Sequence, residues 1–151
     1  MRELAELHRF NLWANANLLS AVRGLSPEQL TQRQEGMYQS ILGVITHLAA
    51  VEAAYLALMR SESFEPGETS LDAVEESLAR SGRALVELAA TGALDGTFHI
   101  PWFGRDFPVA TGLRQVLTHS ANHRADVNQW LPRFGVESAN VDYIGLALAE
   151  G

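Results

Sequence analysis

Four separate stretches of this chain repeat apolar residues at every third or fourth position, a period that suits the α-helix and excludes a strand-built core. Across residues 2–23 the repeat runs Leu4, Leu7, Ala14, Leu18 and Val22, and Gly24 supplies a C-terminal stop. Across 40–60 it runs Ile41, Val44, Leu48, Val51, Tyr55 and Leu58. A third helix, capped by Thr69 or Ser70, turns Leu71, Val74, Leu78, Leu85 and Leu88 inward, with Gly92 just beyond it. The fourth starts at Thr111, runs to about Arg133 and ends at Gly135. Four amphipathic helices of about five turns each predict an all-α fold, a four-helix bundle. The connections are longer than minimal, which leaves room for a long crossover in place of simple up-and-down order.

Shorter features fill the gaps. Ser26-Pro27-Glu28-Gln29 is a helix start, with serine as cap, proline in the first turn and glutamine three residues on. Residues 61–70, with Pro66-Gly67 and several glutamates, read as a solvated loop. Residues 95–109 break the helical period: Phe98, Ile100, Trp102, Phe103 and Phe107 crowd around Gly104, which predicts a small extended hairpin turning near Gly104-Arg105 ahead of the last long helix. Residues 143–149 suffice for a final helical turn or two. The 151 residues carry no repeat and no linker, so one domain over 1–151 is expected.

Composition narrows the chemistry. Cysteine is absent, so no disulfide or thiolate is available, and any metal would be held by histidine nitrogen or carboxylate oxygen. The net charge is -7 and every basic side chain except histidine is arginine. No arginine cluster offers the basic face that nucleic acid or an anionic membrane surface requires. Without lysine there is no Schiff-base chemistry on a lysine amine. Met1-Arg2-Glu3-Leu4 opens into a helical pattern with nothing resembling a signal peptide. The most apolar run, residues 48–59, is short for a bilayer and interrupted by Glu52. A soluble, cytoplasmic protein is the expectation.

The histidines carry the functional information. His119 and His123 are four residues apart in the last long helix, which places them roughly 40° apart and about 6 Å along the axis. They share a stripe with Val116, Val127 and Trp130, and His47 shares one with Val44, Val51 and Leu58, so all three replace apolar residues on inward faces. Buried imidazoles need partners for their nitrogens, and one shared divalent ion would satisfy three at once while keeping other coordination positions open. The alternative is three core histidines satisfied by hydrogen bonds alone. Ser120 follows His119, so the His-Glu-x-x-His signature of zinc proteases is not present.

Other candidates read more plainly. His8 is expected to be a partly exposed structural histidine, with approach to the metal site as the alternative, and His99 structural or superficial in the aromatic hairpin. Glu52, about 140° round the helix from His47, is not expected to share a ligand set with it. Tyr55 returns to the His47 face as a candidate hydrogen-bond donor or a core residue. Asn122 and Arg124 flank His123; Arg124 is expected in a surface ion pair or a dimer interface, with recognition of a substrate carboxylate as the alternative. Trp13, Trp102 and Trp130 are expected in the core.

Taken together, Arg9-Phe-Asn-Leu-Trp-Ala-Asn15, Thr46-His-Leu-Ala-Ala-Val-Glu52, His119-Ser-Ala-Asn-His-Arg124 and the closing Asp142-Tyr-Ile-Gly145 resemble the DinB-like superfamily, the DNA-damage-inducible bacterial proteins of metalloenzyme type. The resemblance spans nearly the whole chain in order. It implies a four-helix bundle with a long crossover, frequent homodimers, and a divalent metal, usually nickel or zinc, on three histidines that map to His47, His119 and His123. Characterised relatives include thiol-dependent S-transferases and a mycothiol-dependent isomerase. Where the family often continues Gly-Gln after His-Arg, this chain has Ala125-Asp126.

Three readings follow. The first is a metal-dependent enzyme, of transferase or hydrolase-like type, that joins a low-molecular-weight thiol cosubstrate to a small electrophile or isomerises one. The second is a stress-associated protein that binds metal or ligand without turnover. The third is a structural helical dimer.

Overall fold

The computed structural model describes residues 2–91 and 93–151. It comprises α1 (Arg2–Val22), α2 (Pro27–Thr31), α3 (Ile41–Met59), α4 (Leu71–Ala90), the hairpin strands β1 (Thr97–Ile100) and β2 (Arg105–Pro108), α5 (Val109–Trp130) and α6 (Tyr143–Glu150). The expected helix starts are present as built caps. The Ser26 side chain accepts from the Gln29 backbone N–H while the Gln29 side chain accepts from the Ser26 N–H, closing a capping box. Ser40 and Ser70 cap α3 and α4 by accepting from the N–H groups of Gly43 and Ala73. Gly92, expected just past the third long helix, lies outside the described residues.

The last long helix differs from expectation at both ends. It starts at Val109, ahead of Thr111, because β2 runs directly into it: Pro108 already holds φ at −60°, and the Val109 N–H is taken by the Gly96 carbonyl. At the other end Pro132 cannot donate to the helical ladder, so residues Leu131–Phe134 tighten into a 3-10 turn. Gly135, at φ +80°, closes that turn by donating to the carbonyls of Leu131 and Pro132.

The hairpin pairs Phe98 with Phe107 and His99 with Asp106, and reverses at Gly104, where φ is +62°. Phe98 and Ile100 are buried and alternate with exposed Thr97 and His99, so one face of β1 plugs the end of the bundle. Gly112 of α5 makes room for that plug. A Cβ there would stand 2.7 Å from Phe98 Cζ and 2.8 Å from Met59 Sδ.

Around the bundle the order is α1, α4, α3, α5. α1 and α3, consecutive long helices, face each other across the diagonal, and so do α4 and α5, so the connection through α2 and the one through the hairpin both cross the bundle. The long crossover expected from the sequence is one of two such connections. The core is two apolar clusters: one around Leu18, Val22, Ile41, Ile45, Leu48, Leu78 and Leu131, the other around Leu85, Phe98, Leu113 and Val116.

Some expected inward faces shift. Leu7 is 37% exposed; the buried stripe of α1 is Leu4, His8, Asn11, Asn15, Leu18 and Val22. On α3 the stripe continues from Leu48 to Glu52 and Tyr55, leaving Val51 and Leu58 half-buried. Trp130 is buried as expected, whereas Trp102, in the hairpin turn, is 58% exposed. The bilayer expectation is also corrected. The helix starts at Ile41, so its apolar stretch reaches 19 residues with mean hydropathy 1.8, enough by length and composition to cross a membrane. Here α3 packs against α4 and α5 with Glu52 buried at its middle.

Candidate metal centre

Adjacent helices α3 and α5 bring His47, His119 and His123 together. Ring centroids are 5.0 Å apart for His47–His119, 4.9 Å for His47–His123 and 4.4 Å for His119–His123. One ring nitrogen from each lies within 4.8 Å of the others, and His47 Nε2 approaches His119 Nε2 to 3.1 Å. Two nitrogens bound to one ion at about 2.0–2.1 Å would stand roughly 3.0–3.4 Å apart, so this spacing fits a shared cation. All three side chains are half-buried, which corrects the expectation of core-facing rings. They line the seam between α3 and α5, one side toward the core and one toward solvent.

Electrostatics favours the neutral, ligating form of His47 and His119. Burial, then the neighbouring His123 and His47, lowers the His119 pKa to about 4. Burial and His123 also lower that of His47. His119 Nδ1 is a buried nitrogen with no hydrogen-bond partner among the described residues. His123 Nδ1 is 3.1 Å from Asp126 Oδ2, one helical turn on. That contact fixes the ring and points Nε2 away from Asp126, the usual way a carboxylate orients a ligating imidazole. Asp126 stands at one of the two positions where the chain departs from the family's Gly-Gln. Tyr38, 62% exposed, stands over the seam with its ring 6.4 Å from His47 and 6.1 Å from His123. Beside it a small cavity of about 80 Å³ is lined by Tyr38, Val44, Asp126 and Trp130.

Behind the histidines lies a buried polar layer that separates the two apolar clusters. Glu52, fully buried, accepts on Oε1 from Asn11 Nδ2 at 2.8 Å, Asn15 Nδ2 at 3.0 Å and Ser120 Oγ at 2.7 Å. Arg124 Nη1 donates to Asn11 Oδ1 and, at 2.8 Å, to Asn15 Oδ1. Two carboxamides thus bridge a buried carboxylate and a buried guanidinium across the bundle diagonal. Burial pushes the Glu52 carboxyl up, opposed by the Ser120, Asn11 and Asn15 hydrogen bonds and by Arg124. Ser120 and Arg124 directly follow His119 and His123, so the layer pins the register of the helix that carries two of the three rings. Expected in a surface ion pair or dimer interface, Arg124 is 3% exposed, because Asn11 and Asn15 supply the acceptors that let its charge be buried.

His8 is likewise corrected: it is 1% exposed, its nitrogens lack partners among the described residues, and burial, opposed by the Leu113 backbone, lowers its pKa to about 4. His99 is exposed and pairs with Asp106 at 2.7 Å, as a superficial histidine should. Tyr55 joins the second apolar cluster against Phe98, 6.2 Å between centroids; Tyr38 is the tyrosine at the trio. Sequence reasoning missed Tyr38, Asp126 and the Asn11–Asn15 pair. A signal existed for the asparagines, since His8, Asn11 and Asn15 occupy successive three- and four-residue steps between Leu4 and Leu18.

The DinB family model matches residues 1–150. Among solved structures, a DinB-like protein from Bacillus cereus ATCC 10987 superposes with a TM-score of 0.59 at 19% identity, covering 83% of this chain and 88% of that one. No curated protein matches.

Proposed function

The chain belongs to the DinB family, and from that premise we propose that it is a metal-dependent enzyme whose divalent ion is held by His47, His119 and His123. The observation that carries this reading is the convergence of three imidazole nitrogens within 4.8 Å at a half-open seam. Three neutral nitrogen donors suit zinc or nickel. When bound, such an ion supplies Lewis acidity that lowers the pKa of a thiol or water at an open position.

The surrounding side chains have separate tasks. Asp126 holds the His123 ring in its ligating tautomer. Burial keeps His119 unprotonated at neutral pH. Tyr38 shields the outer side of the seam and limits water there, and the cavity beside it offers space for a small group. The Glu52–Arg124 layer fixes α5 from behind. The reaction class we assign is transfer of a low-molecular-weight thiol onto a small electrophile, or a thiol-assisted isomerisation. A chain without cysteine would draw its thiol from a cosubstrate.

The test is elemental analysis of the purified protein beside the His47→Ala, His119→Ala, His123→Ala triple variant, then a thiol-plus-electrophile turnover screen. One equivalent of metal in the wild type, none in the variant, and turnover abolished by His123→Ala are expected. No metal, and no gain in melting temperature with zinc or nickel, would leave a structural bundle. Stoichiometric metal without turnover across the screen would leave a binding protein.

A further inference from the structure

On the other side of α5, α1 and α5 flank an open groove of about 550 Å³. At 100° per residue, Leu117 and Ala121 lie roughly 160–200° round the helix from His119, so the histidines and this groove do not share a face. Its walls are apolar: Leu4, Leu7 and Phe10 from α1, Leu117 and Ala121 from α5. This explains the partial exposure of Leu7, which lines the groove instead of the core. Its volume falls within the roughly 300–1,000 Å³ of small-molecule sites.

A buried guanidinium also lines it. Arg124 is 3% exposed, yet only Nη1 is engaged, by Asn11 and Asn15. Neither Nε nor Nη2 donates to an acceptor among the described residues. Those two nitrogens form one edge of the planar fork, the edge that matches both oxygens of a carboxylate. Phe10 packs against the same group, with Arg124 Cζ 5.7 Å from the ring centroid. Arg114 adds a second cation at the groove, and Glu3 is the one acidic residue that lines it; Glu52, the buried counter-charge of Arg124, reaches it only through the Asn11 and Asn15 carboxamides on Nη1. That free edge therefore calls for an acceptor that presents two oxygens side by side, which a carboxylate does.

We propose that this groove binds a small amphipathic carboxylate, its aliphatic chain along Leu4, Leu7, Phe10 and Leu117 and its head on the Nε–Nη2 edge of Arg124. Calorimetric titration of the wild-type protein with octanoate and with octan-1-ol tests it. Octanoate should saturate one site, and the alcohol, with the same chain and no charge, should bind at least about tenfold more weakly, the usual value of a charge-assisted hydrogen bond. Ala121→Trp, at an exposed position, should fill the groove and abolish octanoate binding without unfolding the bundle. The triple-histidine variant should bind octanoate as the wild type does. Equal affinity for acid and alcohol, binding that survives Ala121→Trp, or binding lost with the histidines would each overturn the proposal. So would a wild-type dimer that Ala121→Trp converts to monomer, since the groove would then be covered by a second copy.

Discussion

Glu52→Ala is the sharpest probe of how this bundle holds its histidines. The substitution removes one acceptor oxygen and orphans three donors at once: Asn11 Nδ2 at 2.8 Å, Asn15 Nδ2 at 3.0 Å and Ser120 Oγ at 2.7 Å. It also leaves Arg124 buried without its counter-charge. Breaking one side of a buried ion pair costs about 3–5 kcal/mol. Glu52→Gln also removes the counter-charge of Arg124, but it keeps an acceptor at Oε1 for all three donors and places an amide NH₂ where Oε2 has no partner among the described residues. One unsatisfied buried group costs about 1–3 kcal/mol. For a chain of this length each kcal/mol moves the melting point by about 2–4 °C, so alanine should lower it by about 10 °C, and glutamine, which spares the three hydrogen bonds, by less. Thermal and urea denaturation measure both, with an unchanged urea slope confirming that the native surface is intact. In a double-mutant cycle, Arg124→Met should cost less in the Glu52→Ala background than alone, because the pair is lost only once. If Glu52→Ala melts within about 2 °C of wild type, or the two substitutions add without coupling, the buried layer is not a connected network.

Three further outcomes are expected. His8 is buried with its pKa lowered from 6.5 to about 4, so the folded state binds its proton less readily than the unfolded chain; stability should fall as pH drops from about 6.5 toward 4, by up to about 3 kcal/mol from this group, and His8→Phe should make that limb shallower in pH-dependent urea melts, leaving the share of His119. Asp126→Asn should weaken zinc or nickel binding by about 10–100-fold while changing the apo melting point by only a few degrees, as read by competition with a chromogenic chelator; unchanged affinity would mean that Asp126 does not orient His123. Gly112→Ala should destabilise by about 1–3 kcal/mol despite alanine's better helix propensity, because its methyl would meet Phe98 at 2.7 Å and Met59 at 2.8 Å; a stabilised variant by thermal melt would show that the hairpin plug yields.

The sequence by itself determined the elements. The three-to-four-residue period of Leu, Val, Ile and Ala, the serines ahead of α2, α3 and α4, Gly104 in the hairpin turn and Gly135 past the last helix are local signals, each acting within a few residues through backbone geometry or one hydrogen bond. The i, i+4 spacing of His119 and His123 on one face of α5 is of that kind too. The order of the helices was not local. Placing α3 beside α5 and opposite α1 brought His47 within 3.1 Å of His119, and it set Asn11 and Asn15 across the core from Glu52. Tertiary structure likewise decided which polar residues are buried. A lone Asn, Glu or Arg on a helix reads as solvent-facing because burying it alone is costly, and only mutual satisfaction among Asn11, Asn15, Glu52, Ser120 and Arg124 removes the cost. Helical phase also escaped local reading where polar residues filled inward positions: Leu7 faces a groove, His8 the core, and Glu52 continues the stripe assigned to Val51.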